Sequence, residues 1–371
     1  MSILALFPHK SNLMQVKSLT LNNFRNHLQK RLEFKDINII TGPNASGKTG
    51  ILEALYLLSG KNSPRVEKTP EIVNWHKDYS RIEADLSNGT RLEVFVDANK
   101  NYAPTKYKAN ENSKLKRDFE KNITAVLFSH DDLGLLTGSP SKRREYINNS
   151  LCFNNRYSQH ITQYGSVLRS RNRLLEQIRE GLENRSALYV WDEKLIKLAQ
   201  PIEKDRREYF TFLEKALPGV VRNFNNLFIG GTCKAHYHAK EITTDWLAEA
   251  RPREIASAQT LRGPHRADFS IQVGGREQGV FASRGQQRAL IIALKVCEAA
   301  FIELTTGNKP IILLDDVYSE LDSNAQTAIQ HFLNENQVFI TTTLPLNADN
   351  WGKNMSPDRQ AVFFELSPRT D

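Results

Sequence analysis

The first readable pattern lies at residues 15–21, where apolar Val16, Leu19 and Leu21 are spaced by polar neighbours, followed by the short apolar run Ile37-Asn38-Ile39-Ile40. Alternation and a brief apolar run both predict strands. After Gly42, the residues Ile51, Leu52, Leu55 and Leu58 recur at helical spacing, and Gly60 stands where such a helix would stop. The order is strand, glycine loop, helix. Residues 81–96 alternate on both sides of Ser87-Asn88-Gly89-Thr90, and an Asn-Gly pair signals a hairpin because both residues tolerate positive φ. Residues 102–121 are polar, lysine-rich and without period, and are expected to be a loop or flexible edge. A strand returns at 123–128.

From about residue 157 to 217 the period becomes helical. Ile161, Tyr164, Leu168, Leu175, Ile178 and Leu182 share one face, broken at Gly181. Leu188, Trp191, Leu195, Leu198 and Ile202 then recur every three or four residues, continuing through Tyr209 and Leu213 to Pro218. Two antiparallel helices forming an arm are the simplest reading. Farther on, residues 269–273 and 279–281 flank Gly274-Gly275 as a second expected hairpin, and 286–304 reads as a long helix. Strands are expected at 310–314, 338–343 and 362–364, with a helix at about 323–332. This sequence of elements predicts an α/β body divided by a helical insertion.

At 371 residues the chain is longer than one core usually supports, which agrees with a body plus a further lobe. With 40% hydrophobic and 25% charged residues the composition is that of a globular protein, and no apolar run approaches a membrane span. Residues 1–13 carry no cleavage-site pattern and are expected to be a disordered leader, with Met14 equally placed to be the biological start. Cys152, Cys233 and Cys297 are far apart and lack metal-ligand spacing, which suits reduced thiols in a cytoplasm. The net charge of +8 favours a polyanionic partner such as nucleic acid. Candidate contacts are Lys142, Arg143, Arg144, Arg169, Arg171, Arg173, Lys204, Arg206 and Arg207, against the alternative of solvated helix faces.

Gly42-Pro43-Asn44-Ala45-Ser46-Gly47-Lys48-Thr49 satisfies the P-loop pattern between an expected strand and an expected helix. In such a loop the backbone N–H groups and the helix N-terminus cradle phosphates. Lys48 reaches the β- and γ-oxygens of ATP, and the Thr49 hydroxyl holds Mg²⁺. Ile311-Ile312-Leu313-Leu314-Asp315-Asp316 is a buried strand ending in two carboxylates, as a Walker B segment does. Asp315 is assigned to the Mg²⁺ shell and Asp316 to the attacking water. Ser283-Arg284-Gly285-Gln286 opens the long helix ahead of that strand, either as an ABC-type signature facing a γ-phosphate or as a plain N-cap. Asp322, after Leu321, fits the D-loop of the same series. One P-loop and one signature per chain imply two chains facing each other, with ATP between them.

These motifs resemble those of the RecF family, which is related to the SMC ATPases. The resemblance rests on Leu21-Asn22-Asn23-Phe24-Arg25-Asn26, the P-loop with Leu52-Glu53-Ala54, Gly138-Ser139-Pro140 with Arg143-Arg144, and Gly263-Pro264-His265-Arg266. It extends to residues 282–288 and to 314–322, and covers nearly the whole chain from Met14. Ala267, Asn148 and His130 depart from the family pattern. The resemblance implies an ABC/SMC-type P-loop ATPase head with an antiparallel β subdomain and an inserted helical arm. The expected divisions are 14–150 for the first part of the head, 151–250 for the arm and 251–371 for the second part. It also implies an ATP-dependent homodimer on double-stranded DNA near gaps and single-strand junctions, acting with RecO and RecR in loading RecA. Arg25, Asn26 and Arg65 become nucleotide neighbours, and His265 and Arg266 are either catalytic or structural. A transport or translation ATPase would carry a switch His where Thr341-Thr342-Thr343 stands. A binding module with a non-hydrolysing site is the other alternative.

Overall fold

The computed structural model describes residues 12–66, 68–99, 105–224, 227–228, 232–317, 323–343 and 358–367. The chain divides into two units. The first comprises residues 1–132, 219–227 and 288–371; the second comprises 133–218 and 228–287. The second is thus inserted into the first, with boundaries at 132/133 and 287/288 where the sequence suggested 150/151 and 250/251.

The first unit holds two sheets. One is antiparallel, built on β2 (Val16–Phe24), β3 (His27–Glu33), β5 (Tyr79–Leu86), β6 (Arg91–Asp97), β7 (Thr105–Ala109) and β8 (Asn112–Lys114), in the order β3-β2-β5-β6-β7-β8. Its alternation is that of a sheet with one packed face: Leu19, Leu21, Ile82, Ala84, Val94 and Val96 are buried. β7 and β8 correct the expectation of a loop over 102–121, within which residues 105–121 are described. Tyr107 packs on Phe119 of the short helix α2 (Lys116–Phe119) while the lysines face out, so the lysine-rich side hid the period.

The other sheet is parallel and five-stranded. It contains β4 (Ile37–Thr41), β9 (Ala125–Phe128), β14 (Ile311–Asp315), β15 (Val338–Thr342) and β16 (Ala361–Glu365), in the order β16-β4-β15-β14-β9. β4, β14 and β15 are apolar runs with nearly every residue buried, as a parallel sheet covered on both faces requires. The helix α1 (Lys48–Leu58) is buried along almost its whole length and shares one core with both sheets, including Leu19, Ile82, Leu55, Ile311 and Phe339. Asn12–Leu13 (β1) pair with Asn308–Lys309 (β13), so within the expected leader residues 12 and 13 are placed and 1–11 lie outside the described residues.

The second unit is mainly helical, with α3 (Gly134–Thr137), α4 (Pro140–Leu151), α5 (Asn155–Arg179) and α7 (Thr244–Ser257). Its longest helix, α6 (Leu188–Val221), runs on into the first unit at its end. Contacts between residues 157 and 206 and between 171 and 192 show α5 and α6 running antiparallel. Gly181, with φ of 76°, closes α5 after Arg179. A small sheet, β10 (Cys233–His238), β11 (Asp268–Val273) and β12 (Arg276–Glu277), completes the unit. Residues 279–281 are not its return strand. They belong to a helical turn, α8 (Gln278–Phe281), and a Cβ at Gly279 would stand 2.3 Å from the Leu136 carbonyl oxygen.

Two arginines read from sequence as surface cations are buried. Arg171 is 0% exposed and donates to Asp192 at 2.9 Å, Glu254 at 2.6 Å and Thr260 at 2.7 Å. Arg206 is 1% exposed and donates to the Tyr157 hydroxyl at 3.0 Å, Asn148 Oδ1 at 3.0 Å and the Pro264 carbonyl at 2.7 Å. Arg143 forms a bidentate pair with Asp268, two residues past the Gly263-Pro264-His265-Arg266 motif, at 2.5 and 2.8 Å. His265 receives or donates at Tyr164 Oη, 2.7 Å, and at the Thr260 carbonyl, 2.9 Å, and burial pushes its pKa down to about 4. Both of these partners belong to the second unit. Removing Arg171 would leave Glu254 buried without its cation and Asp192 with Arg251 alone, at 2.7 Å. Arg171→Ala should therefore cost about 3–5 kcal/mol in urea unfolding of that unit; a loss below about 1 kcal/mol would contradict this account.

Candidate functional site

In the parallel sheet, β15 lies between β4 and β14, with Thr341 opposite Asp315 on one side and Ile40 on the other. The same register therefore brings the start of the P-loop and the end of the Walker B strand to one level. Thr49 Oγ1 donates to Asp315 Oδ1 at 2.8 Å, and Thr341 Oγ1 donates to the same oxygen at 2.8 Å. The Thr341 hydroxyl also accepts from the Asp316 N–H at 3.0 Å. Asp316 adopts a left-handed φ of 56°, a conformation that costs a non-glycine residue energy and is held here by the strand end.

The loop itself is shaped by Gly47, whose φ is 99°. A Cβ there would come within 2.6 Å of the His27 ring and 2.7 Å of Asn26 Oδ1. Asn26 lies in the hairpin turn between β2 and β3, and His27 opens β3. Asn26 Nδ2 donates to the Ala45 carbonyl at 3.3 Å, and His27 Nε2 lies 3.1 Å from the Gly47 carbonyl. Lys48 is 5% exposed and its ammonium donates to the carbonyls of Gly42 at 2.8 Å and Pro43 at 3.0 Å. The Ser46 hydroxyl is buried and has no hydrogen-bond partner among the described residues. An enclosed ammonium served only by neutral carbonyls, an unmatched hydroxyl and a helix N-terminus together fit an anion with several oxygens.

Burial pushes the Asp315 carboxyl above its ordinary value, against the two hydroxyl donors that favour its anion. A divalent cation would reverse that balance. Thr49 and Asp315 could supply two oxygen ligands to such an ion. No group of three or more His, Cys, Asp or Glu able to hold a metal occurs among the described residues. Two protein ligands suit Mg²⁺, which keeps water and phosphate oxygens around itself.

The cleft over the loop has a volume of about 580 Å³ and is lined by Asn26, Ser46, Lys48, Thr49, Arg65 and Asp316, among others. Arg25 and Asn44 line it too. The expected nucleotide neighbours Arg25, Asn26 and Arg65 are thus brought to the P-loop. Ser283, Arg284, Gly285 and Gln286 are not among the lining residues and belong to the second unit. They open α9 (Arg284–Thr306), a helix that the boundary at 287/288 divides. Ser283 does cap it: the Gln286 N–H donates to Ser283 Oγ at 3.3 Å and Gln286 Oε1 accepts from the Ser283 N–H at 2.9 Å. Asp322 lies outside the described residues.

The roles of two residues escaped the sequence reading, although one of them, Glu53, stands in the Leu52-Glu53-Ala54 motif. Glu53, 2% exposed on α1, accepts from Arg25 Nε at 2.9 Å and from Ser63, and lies 3.7 Å from Arg65. It holds both arginines beside the loop. Its signal was a carboxylate in the middle of the apolar stretch 51–58. Trp75 lines the same cleft while 91% exposed, an exposed indole with nothing in the local pattern to mark it.

The RecF/RecN/SMC N terminal domain family matches residues 15–348 of the chain. The DNA replication and repair protein RecF of Heliobacterium modesticaldum is 33% identical over 347 residues, covering 89% of this chain and 92% of its own length. That of Desulforamulus reducens is 34% identical over 348 residues, with 89% and 92% covered. The chain belongs to the RecF family. Among solved structures, the recombination mediator protein RecF-ATPrS in the RecFOR pathway is similar with a TM-score of 0.84 at 29% identity, covering 96% of this chain and 97% of that one. The SmcHead bound to the C-winged helix domain of ScpA gives a TM-score of 0.50 at 13% identity, which extends the likeness of fold to SMC heads. The chain is accordingly an α/β protein with the SMC/ABC-type ATPase fold, an antiparallel sheet and an inserted helical unit, in a family of DNA replication and repair proteins.

Stacking of a base on an aromatic ring contributes roughly 1–3 kcal/mol. Titration with a nucleoside triphosphate should change the fluorescence of Trp75, and Trp75→Ala should weaken binding about tenfold while Trp75→Phe loses the signal but keeps affinity. Unchanged affinity in Trp75→Ala would remove this residue from the site.

Proposed function

We propose that the protein is an ATP-dependent DNA-binding ATPase of the RecF type whose nucleotide site is completed by a second copy of the chain. The observation that carries this reading is the exposure of Ser283, Arg284 and Gly285 at the start of α9, with open space where a side chain on Gly285 would stand. A P-loop cleft and an uncovered signature on one chain suit a head-to-tail pair of sites. The likeness to a RecF solved with an ATP analogue supports ATP as the nucleotide.

In this reading residues 42–49 cradle the phosphates and Lys48 pairs with the β- and γ-oxygens. Thr49 and Asp315 would hold Mg²⁺, which would supply positive charge to neutralise that developing on the transferred phosphoryl group. Asp316 orients or deprotonates the attacking water. In ABC enzymes that position is usually Glu, and the shorter Asp316 supports slow hydrolysis, stimulated by DNA. Arg25, Asn26 and Arg65 border the nucleotide. Ser283, Arg284, Gly285, Gln286 and Asp322 of one chain serve the γ-phosphate of its partner. Ser283 accepts its capping bond through Oγ, so its hydroxyl proton stays available to an anionic oxygen.

ATP binding then assembles a homodimer on double-stranded DNA at gaps and single-strand junctions, and hydrolysis resets it. In this reading the protein acts with RecO and RecR in RecA loading, in the cytoplasm; family membership and the RecFOR pathway of the related protein support it. No helix among the described residues is long and apolar enough to cross a membrane.

Asp316→Asn should bind ATP, hydrolyse it at least about tenfold more slowly and accumulate as a dimer in sedimentation velocity with ATP and Mg²⁺. A variant that stays monomeric at saturating ATP would overturn the dimer reading.

A further inference from the structure

The helix α5 carries three arginines within five positions and treats them differently. At about 100° per residue, Arg169 and Arg173 lie on the side of α5 opposite Arg171. Arg171 is buried and ties α5 to Asp192 of α6 and Glu254 of α7, so the frame around the helix is fixed. Arg169 and Arg173 are exposed and line a groove of about 600 Å³ with Asn172, Arg179, Ser257 and Gln259.

The charge in this groove is largely unmatched. Its one carboxylate, Glu176, lies 3.8 Å from Arg179. Arg169 and Arg173 make no ion pair or hydrogen bond among the described residues. Arg266, also exposed, donates to Gln259 Oε1 at 2.8 Å, a neutral partner that leaves its charge intact. Asn172 Oδ1 accepts from the N–H and hydroxyl of Thr260, both within 2.9 Å, which leaves its amide N–H groups to donate.

We infer that this groove is a track for the phosphate backbone of double-stranded DNA. Guanidinium forks match phosphate oxygens in pairs. The i,i+4 spacing sets the Arg169 and Arg173 stems about 6 Å apart along the helix axis. Two phosphate steps on one strand of a duplex span a similar length, at about 3.4 Å each. The chemistry also separates duplex from single strand. Single-strand tracks pair their cations with aromatic platforms for unstacked bases, whereas the groove lining is Arg, Asn, Glu, Ser, Ala and Gln with no aromatic residue. The sites it offers are to the backbone, independent of sequence.

This inference rests on the DNA reading above, and the experiment separates the two. The full-length protein, its Arg169→Ala/Arg173→Ala variant and its Arg169→Lys/Arg173→Lys variant are titrated against a labelled duplex with ATP and Mg²⁺ over a range of salt. Each phosphate contact contributes about 0.9 to the slope of log affinity against log salt, so the Ala pair should flatten the slope by about 1.8 and bind roughly 50-fold more weakly near 0.1 M salt. The Lys pair, which keeps the point charges, should recover most of the affinity. ATP affinity and melting temperature should match the parent in both, because neither arginine has a partner to lose. An Ala pair with parental affinity and slope overturns the groove and leaves DNA binding intact. Equal loss in the Ala and Lys pairs attributes the effect to shape instead of charge and also overturns it. A parent protein that binds no duplex in any nucleotide state removes the DNA reading itself.

Discussion

The hydrogen bond from Thr49 to Asp315 is the contact on which the first unit depends for its chemistry. It links the first residues of α1 to the end of β14, 266 positions later, and it forms only if β15 is inserted between β4 and β14 in the correct register. Thr341 secures that register from the middle strand by donating to the same carboxylate oxygen and accepting from the Asp316 N–H. A one-residue slip would turn Asp315 away from Thr49 and bury the wrong face. The loop residues, Lys48 and Asp316 fall into one cleft because this join holds.

Around the join, the antiparallel sheet works as a support. Its first hairpin sends Arg25, Asn26 and His27 against the P-loop, where Gly47 alone permits the close approach. Glu53 then gathers Arg25 and Arg65 from inside α1. The second unit uses charge in the opposite manner. Arg171 and Arg206 are enclosed and fully bonded, which costs desolvation and is repaid only by complete pairing. Arg169, Arg173 and Arg266 stay exposed, with no carboxylate partner among the described residues.

Patterns that depend on local spacing were readable in the sequence. The strand, loop and helix around residues 42–49, the buried strand ending at Asp315 and the long helices of the insertion all announce themselves by period and by glycine position. The residues 105–114 did not, because one face of that hairpin is lysine and its apolar face is only Tyr107 and Ala109. Nor did the helical turn at 278–281, which is set by the approach of Gly279 to Leu136 and not by any local period. Burial of arginine is likewise invisible locally: Arg169, Arg171 and Arg173 look alike in a row, and only the positions of Asp192 and Glu254 in the fold distinguish them. Trp75 carries no motif, and the Leu52-Glu53-Ala54 motif does not tell that Glu53 reaches Arg25 and Arg65.

The central claim is that the site is shared between two chains, and mixing tests it most directly. Lys48→Ala disables a P-loop, and Ser283→Arg disables a signature; neither variant alone should hydrolyse ATP. In a mixed dimer one site combines the intact P-loop of the Ser283→Arg chain with the intact signature of the Lys48→Ala chain. Mixing the two variants should therefore restore a substantial fraction of parental hydrolysis. If the mixture stays as inactive as its components, while each still forms a folded chain, the nucleotide site is not shared in the way described.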